Sequence, residues 1–198
     1  MSSDTLVTND RDAWTIALVG APGVGKTRFI SRFVLDDFEG LLESSTIKQG
    51  FSRQLLVDGQ ITIVTLLDVY PGTNDVDVEE TLLRDADAFI LMYSTTSPYS
   101  LQDVVAHTRA VRRACGHDPL LSLVANQCDR PAQDQEVSRV EGAALARELD
   151  CVFAEASAKT GAGVQDIARD LVRRLRARKQ QSGGTKPGRR VWGYLTRR

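Results

Sequence analysis

The residues Gly20-Ala21-Pro22-Gly23-Val24-Gly25-Lys26-Thr27 place three glycines ahead of a lysine and a hydroxyl side chain. They fill every fixed position of G-x-x-x-x-G-K-[ST]. Glycines at this spacing let the backbone curl until successive N–H groups face one anion. A helix opening directly after the loop adds its positive N-terminal end. Lys26 is then expected to reach the β- and γ-phosphates of a nucleotide, and the Thr27 hydroxyl to bind Mg²⁺. The candidate cofactor-binding residues of this stretch are Gly20, Gly23, Val24, Gly25, Lys26, Thr27 and Arg28. Pro22 lacks an N–H and has a fixed φ, so it removes one donor from the loop and stiffens it.

Two further stretches speak to the base. Asn126-Gln127-Cys128-Asp129 follows the apolar run Ser122–Ala125. A carboxylate held in the base plane accepts two N–H bonds, from guanine's ring nitrogen and its exocyclic amine. Adenine offers neither there and would leave the charge unpaired and partly desolvated. Asp129 is therefore a guanine selector, with Asn126 and Gln127 as neighbouring candidates. Ser157-Ala158-Lys159 follows the next apolar run and is expected to close the pocket with backbone N–H and the lysine stem.

The chemistry needs elements to place it. Trp14–Val19 reads as a buried strand, and Lys26–Val34 carries apolar residues at helical spacing. Phe51–Val57 and Ile61–Val69 read as strands joined by Asp58-Gly59, a hairpin turn. Ala88–Tyr93, Leu120–Ala125 and Cys151–Glu155 complete the strands. Pro98–Cys115, Glu136–Leu149 and Val164–Arg178 read as helices, and Asp36–Ser45 as a loop. This order predicts an α/β, P-loop NTPase fold: a mainly parallel six-stranded sheet, one antiparallel edge strand, and helices on both faces. Ligands in such sheets sit beyond the carboxyl ends of the strands, where all these motifs fall. The expected divisions are a lead over 1–12, a nucleotide-binding domain over 13–179, and a basic tail over 180–198.

Over residues 13–180 the chain resembles the Ras-like small GTPases. The phosphate loop, Ser44-Ser45-Thr46-Ile47, NQCD and Glu155-Ala156-Ser157-Ala158-Lys159-Thr160-Gly161 stand in family order. The resemblance implies binding of guanine nucleotide (GTP or GDP) and Mg²⁺, and a signalling switch. It also implies effector or regulator proteins that read residues 38–48 and 68–80. Phe38 would stack on the base, although a packed aromatic after the helix would look the same. Thr46 would close on Mg²⁺ and the γ-phosphate, although a strand-entry threonine is the plain alternative. The family's second switch reads D-x-x-G-Gln, whereas this chain has Asp68-Val69-Tyr70-Pro71-Gly72-Thr73. Either Gly72 keeps the register and Val69 takes the metal position, or Asp68 keeps it and one residue bulges before Gly72. The metal candidates are thus Thr27, Thr46 and Asp68, and the catalytic candidates Lys26, Thr46 and Gly72. Thr73 stands where a glutamine would orient the attacking water, so GTP hydrolysis is expected to be weak or partner-dependent. Gln127 replaces the family's lysine, which implies lower affinity or faster exchange. The alternative is a non-cycling binding or scaffold domain; an ATP-using enzyme is disfavoured by NQCD with SAK.

Bulk properties bound the rest. The chain has 198 residues, 42% hydrophobic, with a net charge of −1. From Arg173 onward there are ten Lys/Arg and no Asp/Glu, which leaves the remainder at −11. A solvated tail, or one that touches an anionic surface, follows from that asymmetry. Trp192, Tyr194 and Leu195 among the arginines suit an anionic membrane. The same residues would suit an acidic partner or RNA, with nucleic acid ranked last. No signal-peptide apolar region and no C-terminal lipidation cysteine are seen, so a cytoplasmic, peripherally membrane-bound protein is expected. The three cysteines and two histidines show no metal-ligand spacing.

Overall fold

The computed structural model describes residues 12–38, 50–69, 76–115 and 118–181, without the side chains of 76–79. Six strands form one sheet: β1 (Ala13–Val19), β2 (Phe51–Val57), β3 (Gln60–Val69), β4 (Ala88–Ser94), β5 (Leu120–Asn126) and β6 (Val152–Glu155). Their order is β2-β3-β1-β4-β5-β6. Among the described residues only the β2–β3 pair is antiparallel, turned at Asp58 and Gly59, both with positive φ. The expected sheet, with its single antiparallel edge strand, is the observed one.

Strand periodicity divides the core in two. Ile16, Leu18, Val64, Leu66, Ile90 and Met92 face α1 (Lys26–Leu35) and α5 (Val164–Gln181). Ala17, Val19, Phe89, Leu91, Tyr93 and Leu123 face α2 (Val76–Asp85), α3 (Pro98–Cys115) and α4 (Arg139–Glu148). Phe29 and Phe33, both fully buried on α1, each contribute about 1.5–3 kcal/mol of burial energy.

Four elements differ from the pattern reading. Helix α2 was not read from the sequence: four of its ten residues are acidic, and among its described side chains Leu83 is the buried one, with Ala86 buried just after its end. Helix α4 starts at Arg139 rather than Glu136. Ser138 caps it, accepting from the Glu141 N–H while the Glu141 carboxylate accepts from the Ser138 N–H. A short 3₁₀ turn over Ala132–Asp134 precedes it.

Helix α5 runs to Gln181, beyond the expected end at Arg178 and into the span expected for the tail, and its basic residues hold it there. Arg173 pairs with Asp58, Arg174 donates to the Leu121 carbonyl and Ser122 hydroxyl, and Arg178 donates to the Asp118 carbonyl. Arg176 donates to the Val57 carbonyl and pairs with Asp12 at 2.5 Å, and Lys179 lies over the Trp14 ring. Burial pushes the Asp12 carboxyl up, but hydrogen bonds from Arg176 and Trp14 outweigh it and hold the group below the ordinary carboxylate value. The stabilisation from this ionised carboxylate is complete above that unfolded value and fades as pH falls through the lower folded one. Five of the ten cations counted from Arg173 onward thus fasten the helix to the lower rim of the sheet. The rest lie in 182–198, outside the described residues.

Candidate functional site

Strand β1 ends at Val19 and α1 begins at Lys26, so the glycine-rich loop joins them directly. Gly25 caps the helix at φ 96°, and a Cβ there would strike the Asn126 side-chain amide. Glycine is required by both the left-handed conformation and the close approach. Gly23, Gly25, Lys26, Thr27 and Arg28 line a cleft of about 230 Å³. Pro22 stands exposed on the loop.

Lys26 is 3% exposed, and its ammonium donates to the Gly20 carbonyl at 2.6 Å and the Ala21 carbonyl at 3.1 Å. Burial lowers its pKa, and the Asp68 carboxylate acts against that shift. Asp68 is equally buried, and its Oδ2 accepts the Thr27 hydroxyl at 2.6 Å. Val69, the next residue, turns into the core on the opposite face. The alternation of β3 therefore brings Asp68, not Val69, to Thr27. A hydroxyl and a buried carboxylate beside a phosphate loop are oxygen donors of the kind Mg²⁺ uses with substrate phosphates. Among the described residues no cluster of three or more His, Cys, Asp or Glu could hold a metal alone.

Asn126 is 1% exposed and ties three loops. Its amide donates to the Val24 carbonyl at 2.8 Å, and its side-chain carbonyl accepts the Ala158 N–H at 3.2 Å. Its backbone carbonyl accepts the Thr95 N–H at 3.0 Å. Asp129 Oδ1 accepts the hydroxyl of fully buried Ser157 at 2.5 Å. That hydroxyl in turn accepts the Thr160 N–H. Gln127 has φ 67°, and its Oε1 accepts from Ser94 at 3.1 Å and Thr96 at 3.4 Å. Its side-chain carbonyl is thus turned toward the end of β4. Lys159 is exposed at the mouth of this region.

Phe38 packs on the α1 side of the core, with the Arg28 guanidinium 5.2 Å from its ring centroid. Arg32 reaches the Ala158 and Lys159 carbonyls. Sequence reasoning did not single out Arg32, Ser94 or Thr96. The hydroxyl run Ser94-Thr95-Thr96-Ser97 after an apolar strand was the available signal for the last two. Nothing local marks Arg32, because its partners lie 126 and 127 residues away. Thr46, Gly72 and Thr73 lie outside the described residues, as do Tyr70 and Pro71. Burial raises the thiol pKa of Cys115 (to about 11), Cys128 and Cys151, opposite to the shift of a reactive thiolate.

The family model described as the Ras family matches residues 15–177. Protein ras-2 of Neurospora crassa is 32% identical, over 91% of this chain and 86% of its own length. Ras-like protein 2 of Mucor circinelloides is 31% identical, over 85% of this chain and 84% of its own. Ras-like protein 1 of Pyricularia oryzae is 31% identical, over 84% of this chain and 76% of its own.

Proposed function

The chain belongs to the Ras family, and from that premise we propose that it binds GTP and GDP with Mg²⁺ and works as a signalling switch with weak or partner-dependent hydrolysis. The observation that carries the reading is the grip of Asn126 on Val24 and Ala158. It lashes the phosphate loop to both base loops, so that nucleotide phosphate and base would be held by one rigid unit. In this reading Gly20, Gly23, Val24, Gly25 and Arg28 present backbone N–H groups to the phosphates, and Lys26 supplies their counter-charge. Ser157 fixes the Asp129 carboxylate in rotation for two parallel bonds from guanine, while Ala158 and Lys159 close over the base. Thr27 and Asp68 would hold the metal, which supplies charge neutralisation on the phosphates. Thr46 and Gly72 keep their switch roles by family resemblance.

The purified protein is expected to release GDP or GTP on denaturation, read by ion-exchange chromatography. Release of GDP supports a cycling enzyme, and GTP a stalled switch. Empty protein that also takes up neither nucleotide with Mg²⁺ would refute the guanine reading and favour a scaffold, to which Gln127 and Thr73 lend some support.

Residues 38–48 and 68–80 remain the proposed surfaces for effectors and regulators. The tail is proposed to meet an anionic membrane through Lys186, Arg189, Arg190, Arg197 and Arg198, each worth about 1 kcal/mol at such a surface. Sedimentation with phosphatidylserine vesicles should fall sharply when the chain is cut after Gln181. Unchanged sedimentation removes the tail from membrane binding.

A further inference from the structure

Arg28 and Arg32 stand one turn apart on α1, the helix that opens inside the phosphate loop. Arg28 Nη1 donates to the Phe38 carbonyl at 2.7 Å, and the guanidinium lies against the ring of the same residue. Both the backbone and the side chain of Phe38 are therefore held by one group. Arg32 spreads its fork the other way. Its Nε donates to the Ala158 carbonyl at 2.9 Å and Nη2 to the Lys159 carbonyl at 2.5 Å. Its Nη1 donates to the Asp36 carbonyl at 2.9 Å. Asp36 is the left-handed residue that ends α1, and the chain reaches Phe38 two residues later. The Arg32 stem also passes beneath Gly161, where an added Cβ would lie 3.5 Å from Arg32 Cδ.

All these acceptors except the ring are backbone carbonyls, so the arginines fix where the chain runs. A planar guanidinium can serve several carbonyls at once, which a lysine ammonium on a flexible stem does poorly. The geometry also bears on Gln127. Its side-chain carbonyl is engaged by Ser94 and Thr96, and two side-chain ties between the 157–159 loop and α1 come from Arg32.

We propose that Arg28 and Arg32 form a two-armed clamp that positions both walls of the base pocket, Phe38 on one side and Ala158–Lys159 on the other, and so sets how long guanine nucleotide stays bound. The inference rests on the guanine-nucleotide reading above. Both arginines are positioning residues that act through Phe38 and the 158–159 backbone. Walls held before binding need not be ordered during it, and losses of this kind appear mainly in the dissociation rate.

The test uses the full chain loaded with N-methylanthraniloyl-GDP or the matching GTP derivative, chased with excess unlabelled nucleotide. Arg28→Ala and Arg32→Ala should each speed release about tenfold, the factor that corresponds to about 1.4 kcal/mol. Association should change by less than about twofold. The factor should be the same for GDP and GTP, because the clamp holds the base and not the γ-phosphate. Arg28→Lys should recover part of the loss, since an ammonium retains a donor and the attraction to the ring. Arg32→Lys should recover little, since one ammonium cannot serve three carbonyls. Release from both alanine variants at the wild-type rate would overturn the clamp, as would a loss confined to GTP. If the alanine variants do not fold, Arg32→Lys decides, with fast release supporting the clamp and wild-type release overturning it. Wild-type protein that binds no guanine nucleotide refutes the guanine reading, and the clamp with it, before any substitution is made.

Discussion

Asp129→Asn should weaken binding of GDP by about 100-fold or more, which corresponds to about 2.7 kcal/mol or more. The Asp129 carboxylate offers acceptors only, and the Ser157 hydroxyl occupies one side of Oδ1 at 2.5 Å. That contact fixes the side-chain rotation and leaves the remaining lone pairs for two donors in the base plane. Asparagine substitutes a donor for one of those acceptors. Guanine's second N–H would then face another N–H, leaving both desolvated and unpaired. The same change creates the pattern that matches xanthine, which carries a carbonyl where guanine has its amine. Competition titration with GDP and xanthosine diphosphate reads both effects. Unchanged GDP affinity in the variant would mean that Asp129 does not touch the base. Far-UV circular dichroism guards against misfolding, and Asp129 is only half-buried.

The sequence made the fold legible wherever a strand is wholly buried. Ala88–Tyr93 and Leu120–Ala125 are apolar runs with every described residue inside or nearly so, and no surface helix imitates that. Helix α2 was not legible because it spans only ten residues, four of them acidic, with Val76, Val78, Leu82 and Leu83 as its apolar residues. The start of α4 was misjudged because acidic Glu136 looks helical, while the capping box that ends the ambiguity begins at Ser138. The site divides in the same way. Its contiguous motifs lie at strand ends and were legible as strings. The ties between them, from Asn126 to Val24 and from Arg32 to Lys159, join residues 102 and 127 positions apart. No window along the chain contains them. The charge pattern misled in one respect: Arg173, Arg174, Arg176, Arg178 and Lys179 look like a patch for an outside partner and instead bind their own domain.

The position of Asp68 sharpens the last expectation, on hydrolysis. Beyond Asp68, three residues precede Gly72, where the family pattern has two. With Asp68 anchored at Thr27, the extra residue must be accommodated between the carboxylate and the glycine whose N–H should meet the γ-phosphate. Thr73 then follows in place of the glutamine that orients the attacking water. Phosphoryl transfer is accelerated almost wholly by positioning and charge stabilisation, and a relative with that glutamine hydrolyses alone at about 3–5 × 10⁻⁴ s⁻¹. The purified protein, loaded with GTP and started with Mg²⁺ in a single turnover, is expected to hydrolyse below about 10⁻⁴ s⁻¹. Thr73→Gln alone should recover little, because the spacing from Asp68 to Gly72 stays one residue longer than the family pattern. Thr73→Gln combined with deletion of Pro71 restores the D-x-x-G-Gln spacing. It should raise the rate at least about tenfold, a modest share of what positioned groups supply in phosphoryl transfer. GDP release rates and far-UV spectra of the variants separate slow chemistry from a damaged fold. A wild-type rate at or above that of the glutamine-bearing relative would show that another side chain orients the water, and that the spacing of this loop is compatible with catalysis.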